Sequence, residues 1–248
     1  MFLKLIEVIN NLKIKYFLDH DLTICYIENM IRWPVTINDA RKVQERLSRD
    51  VSLKPLNKEI ATIAAFDASY TGNKIIGAVM VFTYPEIEII DRAFSVCHTT
   101  FPYVPGLLSF REGPALLNAY GSLRERPDLL LFDGQGIAHP RGLGIASHMG
   151  VLLDKPSIGC AKSRLIGDYQ EPPLCRGGIS PLYYNGSKVG VVLRTRTGVK
   201  PVFVSPGHLV TFEDAMSIIM KCATYRIPDP LRLVDKWTKE LKNEIFAS

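Results

Sequence analysis

The sequence predicts a domain of the mixed α/β class. A meander of apolar segments comes early in the chain, short buried segments then alternate with helical ones, and two amphipathic segments follow. The 248 residues suffice for one substantial core, and 47% hydrophobic with 22% charged residues is ordinary for a globular protein. The sequence has no internal repeat or low-complexity stretch, so we expect one main domain.

Residues 1–35 are predicted to form an N-terminal extension of unknown role, ahead of a domain at 36–248. The N-terminus is apolar and basic, but Glu7, Asn10 and Asn11 interrupt what would be the core of a signal peptide. The apolar runs are far shorter than the roughly 20 residues that a membrane-spanning helix needs. We therefore expect a cytoplasmic protein without a membrane segment.

The first half of the domain is predicted to hold one helix and three strands. Residues 38–56 have apolar side chains at helical spacing and a charged opposite face, which is typical of an amphipathic helix that stops near Pro55. Extended segments separated by turns follow at 62–70, 74–83 and 87–96. The first is almost continuously apolar, which indicates a central strand covered on both faces.

The alternation of strand and helix that follows predicts parallel strand pairing. Residues 107–125 are rich in helix formers, and short buried strands at 128–132 and 156–160 enclose a helix at 144–153. Strands at 179–184 and 188–195 are predicted to form a hairpin around Asn185-Gly186. A further strand at 201–204 and two helices at 212–225 and 230–246 follow.

Two acids lie in or directly after predicted buried strands. Asp67 lies within ATIAAFDASY, and Asp133 follows the run LLLF. An isolated buried carboxylate costs roughly several kcal/mol, so a cation should face each acid. If the strands are neighbours, both acids converge at one edge of the sheet, with Glu112 as the natural third. Such oxygen ligands suit Mg²⁺, or Mn²⁺ as a substitute, although a single buried Asp is more often salt-bridged or capping a turn.

The loop DGQGIAHPRGLG after this strand allows two interpretations. Its glycines could free backbone N–H groups to bind phosphate, but their spacing matches neither a Walker A loop nor GxGxxG. His139 could position a phosphate or water, or could simply satisfy a backbone carbonyl.

Positive charge is concentrated in residues 155–200, which contain eight Lys and Arg residues against two acids, while the whole chain carries +5. Such an excess is expected for a polyanionic partner, although a solvated strand face would look similar.

Several motifs together resemble the endonuclease V family, nucleases directed at deoxyinosine. The blocks are FPYVPGLLSFREGP, PDLLLFDGQGIAHPRGLGIASHMG and IGCAKSRLIG, with FDASY, FVSPGHL and YRIPDPLR in the same order, over about residues 36–240. The resemblance implies a ribonuclease H-like fold with a central mixed five-stranded sheet and helices on both faces. It also implies Mg²⁺-dependent hydrolysis, in DNA repair, of the second phosphodiester bond 3′ to a deoxyinosine, leaving 3′-hydroxyl and 5′-phosphate ends.

The resemblance also assigns roles to individual residues. Asp67, Glu112 and Asp133 match the metal carboxylates, and a fourth metal position, His or Asp in the family, falls on Asp235. Lys162 matches a lysine near the scissile phosphate, where it could stabilise developing charge. In this interpretation two Mg²⁺ ions bridge Asp67 and Asp133, one activating water and the other steadying the leaving oxygen.

The PYVP segment would act as a wedge that enters the base stack while the inosine nucleotide swings out. Two prolines stiffen this loop, and extrusion of a base costs roughly a few kcal/mol. Backbone groups would then recognise hypoxanthine. The residues expected to bind substrate are Pro102, Tyr103, Val104, Pro105, Gly106, Leu107, Gly134, Gln135, Gly136, Ile137 and His139.

Three alternatives stay open at the level of the sequence. The same site could act mainly on inosine-containing RNA, because a single strand offers an unstacked base and 2′-hydroxyl contacts. The protein could bind inosine without cleaving. DASYTG also suggests the phosphate hairpin of an actin-like sugar kinase or ATPase, although no second hairpin is present. We expect a monomer that binds DNA containing deoxyinosine, with inosine-containing RNA as the other candidate partner.

Overall fold

The computed structural model describes residues 33–246, so the predicted extension at 1–35 lies almost entirely outside the described residues. Within 33–246 the strands are β1 (Thr62–Thr71), β2 (Lys74–Thr83), β3 (Ile89–His98), β4 (Leu129–Phe132), β5 (Ser157–Ala161), β6 (Ile179–Tyr184), β7 (Ser187–Leu193) and β8 (Val202–His208). The helices of the same region are α1 (Ile37–Leu47), α2 (Leu108–Gly121), α3 (Ile145–Leu153), α4 (Phe212–Lys221) and α5 (Asp229–Phe246). None of these helices is long and apolar enough to cross a membrane.

The strands of the described region form one mixed sheet in the order β3-β2-β1-β4-β5-β8-β7-β6. β1, β4 and β5 are parallel, whereas β2 is antiparallel to both of its neighbours. The mixed ribonuclease H-like class is confirmed, but the expected number of five strands is wrong, because the sheet has eight. The hairpin and the strand after it were predicted as segments, and they extend the same sheet: β8 pairs with the edge of β5 that would otherwise be unpaired.

Helices cover both faces of the sheet, as predicted. Successive residues of a strand point to opposite faces. Ile63 and Ala65 of β1 therefore pack in the layer that contains α4 and α5, whereas Ala64 and Phe66 pack in the layer that contains α2 and α3. The four residues of β4 divide in the same way and are fully buried. Burial on both faces explains why these strands are continuously apolar.

Most predicted elements are present with shifted ends. α1 begins after Thr36, whose Oγ1 accepts a hydrogen bond from Asp39 N at 3.1 Å, and it ends at Leu47 instead of near residue 56. The chain beyond it is held by tertiary hydrogen bonds, since Leu209 N donates to Ser52 O at 2.7 Å. These bonds replace the predicted last turns of the helix.

Candidate active site

Two neighbouring strands place two acids side by side, one within β1 and one directly after β4. These strands are parallel neighbours, with Phe66 opposite Phe132. Asp67 and Asp133 are the next residues along each strand, and both line a cleft of about 420 Å³. The strand adjacency on which the sequence argument depends is therefore confirmed.

Asp67 is held from the side of α5. The buried hydroxyl of Thr238 donates to Asp67 Oδ2 at 2.6 Å and lies at the same distance from Val234 O. Burial raises the pKa of Asp67 to about 6; the Thr238 hydrogen bond opposes this, and the charges of Asp235 and Asp133 add to it. Asp235 lies one turn before Thr238 and accepts a hydrogen bond from Lys239 Nζ at 2.6 Å. Asp235 is not part of the cleft wall, but its charge acts on Asp67.

Glu112 reaches the cleft from α2, on the other side of the sheet. Tyr70 Oη donates to Glu112 Oε1, and the guanidinium carbon of Arg111 lies 4.9 Å from the centroid of the Tyr70 ring. Burial raises the pKa of Glu112 to about 7, against the effect of the Tyr70 hydrogen bond, and the charges of Asp67 and Asp133 raise it further. The three acids of the cleft therefore repel one another.

Lys162 is the cation that faces Asp133. It follows β5, and its Nζ donates to Asp133 Oδ2. Burial lowers the pKa of Lys162, but the hydrogen bond and charge of Asp133, with the charges of Asp235 and Asp67, raise it overall. Lys162 is therefore a protonated, positioned cation at the edge of the carboxylates.

The chemistry of the three acids in the cleft fits a divalent cation of the hard type. Three carboxylates line one cleft, and their mutual repulsion contributes to the raised pKa values of two of them. Within residues 33–246, however, no three His, Cys, Asp or Glu side chains are assembled closely enough to hold a metal ion. Each acid is instead bound by a protein donor, namely Thr238, Tyr70 and Lys162.

The loop between β3 and α2 forms a wall of the cleft. Tyr103 is 70% exposed and lines the cleft with Val104 and Pro105. Pro102 is exposed but lies off the cleft wall. Leu107, expected to contact substrate, has its side chain buried in the cluster beneath the loop, and its N–H donates to Val104 O at 2.9 Å. Leu107 supports the loop without facing the cleft.

The glycine-rich loop at 134–144 is folded onto the sheet. The N–H groups of Gly134, Gly136 and Gly144 donate to protein acceptors at 3.0, 2.7 and 2.9 Å. A Cβ atom on Gly136 would lie 2.0 Å from Pro206 O. Close backbone approach explains Gly136 and Gly144, whereas the Ile145 side chain crowds the position of Gly134. The interpretation of their N–H groups as phosphate donors is wrong, because protein acceptors already bind them.

The predicted recognition residues of this loop divide into two sets. Gly134 and Gln135 line the cleft, whereas Gly136 and Ile137 do not, and Ile137 N donates to Pro206 O at 2.8 Å. The buried side chain of Gln135 donates to a backbone carbonyl at 3.0 Å, but its Oε1 has no hydrogen-bond partner within the described residues. Gln135 thus keeps unused hydrogen-bonding capacity beside the cleft.

His139 anchors the loop between β3 and α2. Its Nδ1 accepts from Arg141 N at 3.2 Å, so Nε2 carries the proton and donates to Gly106 O at 2.7 Å. Gln44 Nε2 of α1 donates to the same carbonyl at 2.8 Å. Burial lowers the pKa of His139 to about 4, which keeps the ring neutral near neutral pH. His139 therefore satisfies a backbone carbonyl, and it also lines the cleft.

Part of the basic excess at 155–200 is internal. Arg194 is buried and donates to Pro173 O at 2.8 Å and to Glu171 Oε1 at 2.6 Å. Arg176 donates to three backbone carbonyls between 2.7 and 3.0 Å. These arginines hold loops together, so charge counting overestimated the surface available to a polyanion.

Sequence reasoning missed three side chains that shape the site: Tyr70, Thr238 and Gln44. Tyr70 and Thr238 each lie three residues after a predicted acid, so their spacing from Asp67 and Asp235 was the available signal. Gln44 lies on a predicted helix, and nothing nearby in the sequence marks it.

The family model for Endonuclease V, a class of nucleases that act on phosphodiester bonds, matches residues 45–236. The chain belongs to the endonuclease V family, which excludes the kinase alternative.

Relatives of known identity support this assignment. Endonuclease V of Roseiflexus sp. (strain RS-1) is 48% identical over 204 residues, which cover 82% of this chain and 92% of that protein. The crystal structure of Endonuclease V from Streptomyces avermitilis superposes with a TM-score of 0.82 at 38% identity, covering 86% of this chain and 96% of the other. Ciona intestinalis Endonuclease V, in complex with a 24mer DNA containing an inosine followed by a ribo-adenosine, gives a TM-score of 0.72 at 27% identity, with coverages of 84% and 98%.

Proposed function

We propose that the protein is a metal-dependent endonuclease of DNA repair that recognises deoxyinosine, through its hypoxanthine base, in DNA. It hydrolyses the second phosphodiester bond 3′ to the lesion and leaves 3′-hydroxyl and 5′-phosphate ends. The observation that carries the proposal is the cleft in which Asp67 of β1 and Asp133, directly after the neighbouring β4, are joined by Glu112. The relative bound to inosine-containing DNA supports the choice of base. We further propose a cytoplasmic monomer.

Mg²⁺ is the proposed cofactor, and Mn²⁺ could substitute for it. Asp67, Glu112 and Asp133 would hold the cation, with Asp235 as the fourth ligand residue. When bound, such a cation activates water and stabilises negative charge on the leaving oxygen. The raised pKa values of Asp67 and Glu112 mean that protons compete with the cation for these carboxylates.

The side chains around the acids orient the carboxylates and supply positive charge beside them. Thr238 and Tyr70 each orient one carboxylate with a hydrogen bond. Lys162 contributes a fixed positive charge beside Asp133, where it can stabilise the negative charge that develops on the scissile phosphate.

The loop between β3 and α2 (residues 99–107), which we call the wedge loop, displaces the base from the stack. Its tip carries the exposed ring of Tyr103, and its foot is held at Gly106 O by Gln44 and His139. A loop that is fixed at its foot and stiffened by two prolines can press an aromatic ring into the base stack without losing its own shape. Gly134 and Gln135 line the same cleft and are proposed to contact the hypoxanthine edge.

Cleavage mapping tests this function. End-labelled DNA with one deoxyinosine is incubated with the protein, with and without Mg²⁺, and the products are sized to the nucleotide. We expect a cut at the second bond 3′ to the inosine only when Mg²⁺ is present, and no cut in a control strand with guanine at that position. Cutting of the control strand at the same rate would contradict the proposal.

Inosine-containing RNA is the second candidate substrate. The relative from Ciona intestinalis was crystallised with a ribonucleotide directly after the inosine, which favours a site that accepts ribose there. Matched DNA and RNA strands, each with one inosine, separate the two by their values of kcat/KM. A higher value for RNA would make RNA the main substrate.

A further inference from the structure

Basic side chains extend from the cleft along the carboxyl edge of the sheet. β8 is antiparallel to both β5 and β7, so β7 runs in the same direction as β5, β4 and β1. Residues that follow β7 or precede β8 therefore lie at the edge that carries Asp67 and Asp133. Arg196 follows β7, and Lys200 precedes β8. Both side chains are exposed.

Arg226 connects this edge to the cleft. Its Nη2 donates to Lys162 O at 2.7 Å and to Pro201 O at 3.1 Å, and its Nε donates to Lys200 O at 3.0 Å. Thr195 Oγ1 donates to Arg226 O at 2.7 Å, which links the same loop to the chain just beyond β7. One guanidinium group thus spans from the lysine of the cleft to the start of β8.

An exposed aromatic ring contacts Arg196 and one further cation of this edge, Arg232. The guanidinium carbons of Arg232 and Arg196 lie 4.2 and 5.9 Å from the centroid of the Tyr225 ring, which is 47% exposed. Such contacts reduce the freedom of long side chains and so lower the cost of binding an anion. We call this set the basic edge; it consists of Arg196, Lys200, Tyr225, Arg226 and Arg232.

The positive charge of the basic edge is largely uncompensated. Asp229 pairs with Arg232 at 2.8 Å, and within residues 33–246 no other carboxylate forms an ion pair with a member of the set. Lys188, in contrast, lies near the start of β7, at the opposite edge of the sheet, and faces Glu213 at 3.9 Å. Lys188 therefore serves as a matched control for charge alone.

We propose that the basic edge binds the phosphates of the substrate strand on the 3′ side of the cut, an inference that rests on the proposed function. The wedge loop leaves the sheet from β3, so lesion and basic edge lie on opposite sides of the carboxylates. From β4 to β7 there are three strand spacings. That distance is roughly 14 Å, so the basic edge lies beyond the scissile bond and within reach of the next few phosphates of the strand.

Truncated substrates test the proposal. The double variant Arg196→Gln/Lys200→Gln, the control Lys188→Gln and the wild type are compared on single strands with one deoxyinosine. One strand has a long arm 3′ of the cut, and the other has a single nucleotide there. For the double variant on the long arm we expect KM to rise about 10-fold with kcat unchanged, and the salt dependence of binding to fall by a slope of about 1.4 for two lost contacts.

On the short arm the double variant should match the wild type, and Lys188→Gln should match it on both arms. The proposal for the basic edge would be overturned if the double variant and the wild type had equal KM values on the long arm. It would also be overturned if the double variant lost equally on both arms, or if Lys188→Gln showed the same loss. A wild type that cuts neither strand would overturn the proposed function instead. In that case, fluorescence anisotropy of an unmodified strand in EDTA still tests the basic edge. Weaker strand binding by the double variant than by the wild type would support the proposal, and equal binding would overturn it.

Discussion

Each acid of the cleft is held by a donor from a different part of the fold. Thr238 of α5 binds Asp67, Tyr70 of β1 binds Glu112, and the lysine after β5 binds Asp133. Hydrogen bonds to metal-binding carboxylates fix their orientation and tune their affinity. Single substitutions at this scale therefore separate charge from orientation.

Asp133→Asn keeps the size of the side chain and removes its charge. We expect single-turnover cleavage of inosine-containing DNA in Mg²⁺ to fall about 100-fold or more, because the proposed cation would lose one of its ligands. Binding of the same strand, followed by anisotropy, should persist. Cleavage at the wild-type rate would remove Asp133 from the cation site.

Thr238→Val replaces a buried hydroxyl by a methyl group of similar size. The Asp67 carboxylate then loses its hydrogen bond at 2.6 Å, so we expect the free energy of unfolding to drop by about 1–3 kcal/mol. Half-maximal cleavage should also need more Mg²⁺. Thr238→Ser keeps the donor and should lie closer to the wild type in urea unfolding and in the Mg²⁺ titration. If Ser is as damaging as Val, the hydroxyl does not position Asp67.

The sequence identified acids more readily than the groups that hold them. Asp67 and Asp133 are conspicuous because carboxylates are rare in buried strands. Thr238 is an ordinary residue on a helix, and its partner lies 171 positions away, so only the folded chain reveals the pair. His139 was conspicuous as a histidine in a glycine-rich loop, and of its two interpretations the structure shows the second, a ring that satisfies a loop carbonyl.

At the scale of elements, the site depends on how closely β5 packs against the loop after β4. A Cβ atom on Gly159 would lie 2.5 Å from Gly134 O and from Gly136 N. Both neighbours are backbone atoms, so they cannot rotate away. The glycine permits the spacing that brings the β4 and β5 ends together.

Gly159→Ala is therefore expected to lower the free energy of unfolding by about 1–3 kcal/mol and to reduce cleavage, because the loop after Asp133 must move. Gly121→Ala is the matched control: its Cβ atom meets nothing within 4 Å at the end of α2. Denaturant unfolding of both variants checks the prediction, and equal effects would contradict it.

The elements were predicted well where local signals decide them. Asn185 and Gly186 both adopt positive φ, 49° and 77°, as the two-residue hairpin turn requires. The number of strands in the sheet was wrong because strand pairing is a long-range choice. The hairpin was visible in the sequence, but its attachment to β5 through β8 was not.

At the scale of the whole molecule, buried titratable groups couple folding to pH. His148 of α3 is fully buried against α2, where its Nδ1 lies 2.9 Å from Ser109 Oγ and its ring stacks on Trp33. Burial lowers its pKa to about 3, and the charge of His139 adds to this. The unfolded chain binds this proton near pH 6.5, so stability is lost as pH falls from there toward 3. The raised pKa values of Asp67 and Glu112 act in the opposite sense, because the folded chain binds these protons more tightly and their contribution to stability increases as pH falls.

His148→Gln removes one of these opposing groups. Between pH 6.5 and about 4, the wild type should lose about 3 kcal/mol more unfolding free energy than the variant. The reason is that unfolding of the wild type takes up one proton at His148, whereas unfolding of the variant does not. Urea unfolding in metal-free buffer at several pH values measures the difference. Parallel stability curves for the two proteins would show that the His148 ring does not stay neutral in the fold.

The proposed chemistry requires that Asp67, Glu112 and Asp133 share a divalent cation in one cleft. Mn²⁺ binding followed by electron paramagnetic resonance measures this directly. We predict that the wild type takes up Mn²⁺, that Asp133→Asn binds it at least about 10-fold more weakly, and that the distant surface variant Glu213→Gln binds it as the wild type does. Equal uptake by the wild type and Asp133→Asn, or no uptake by the wild type, would contradict the proposal.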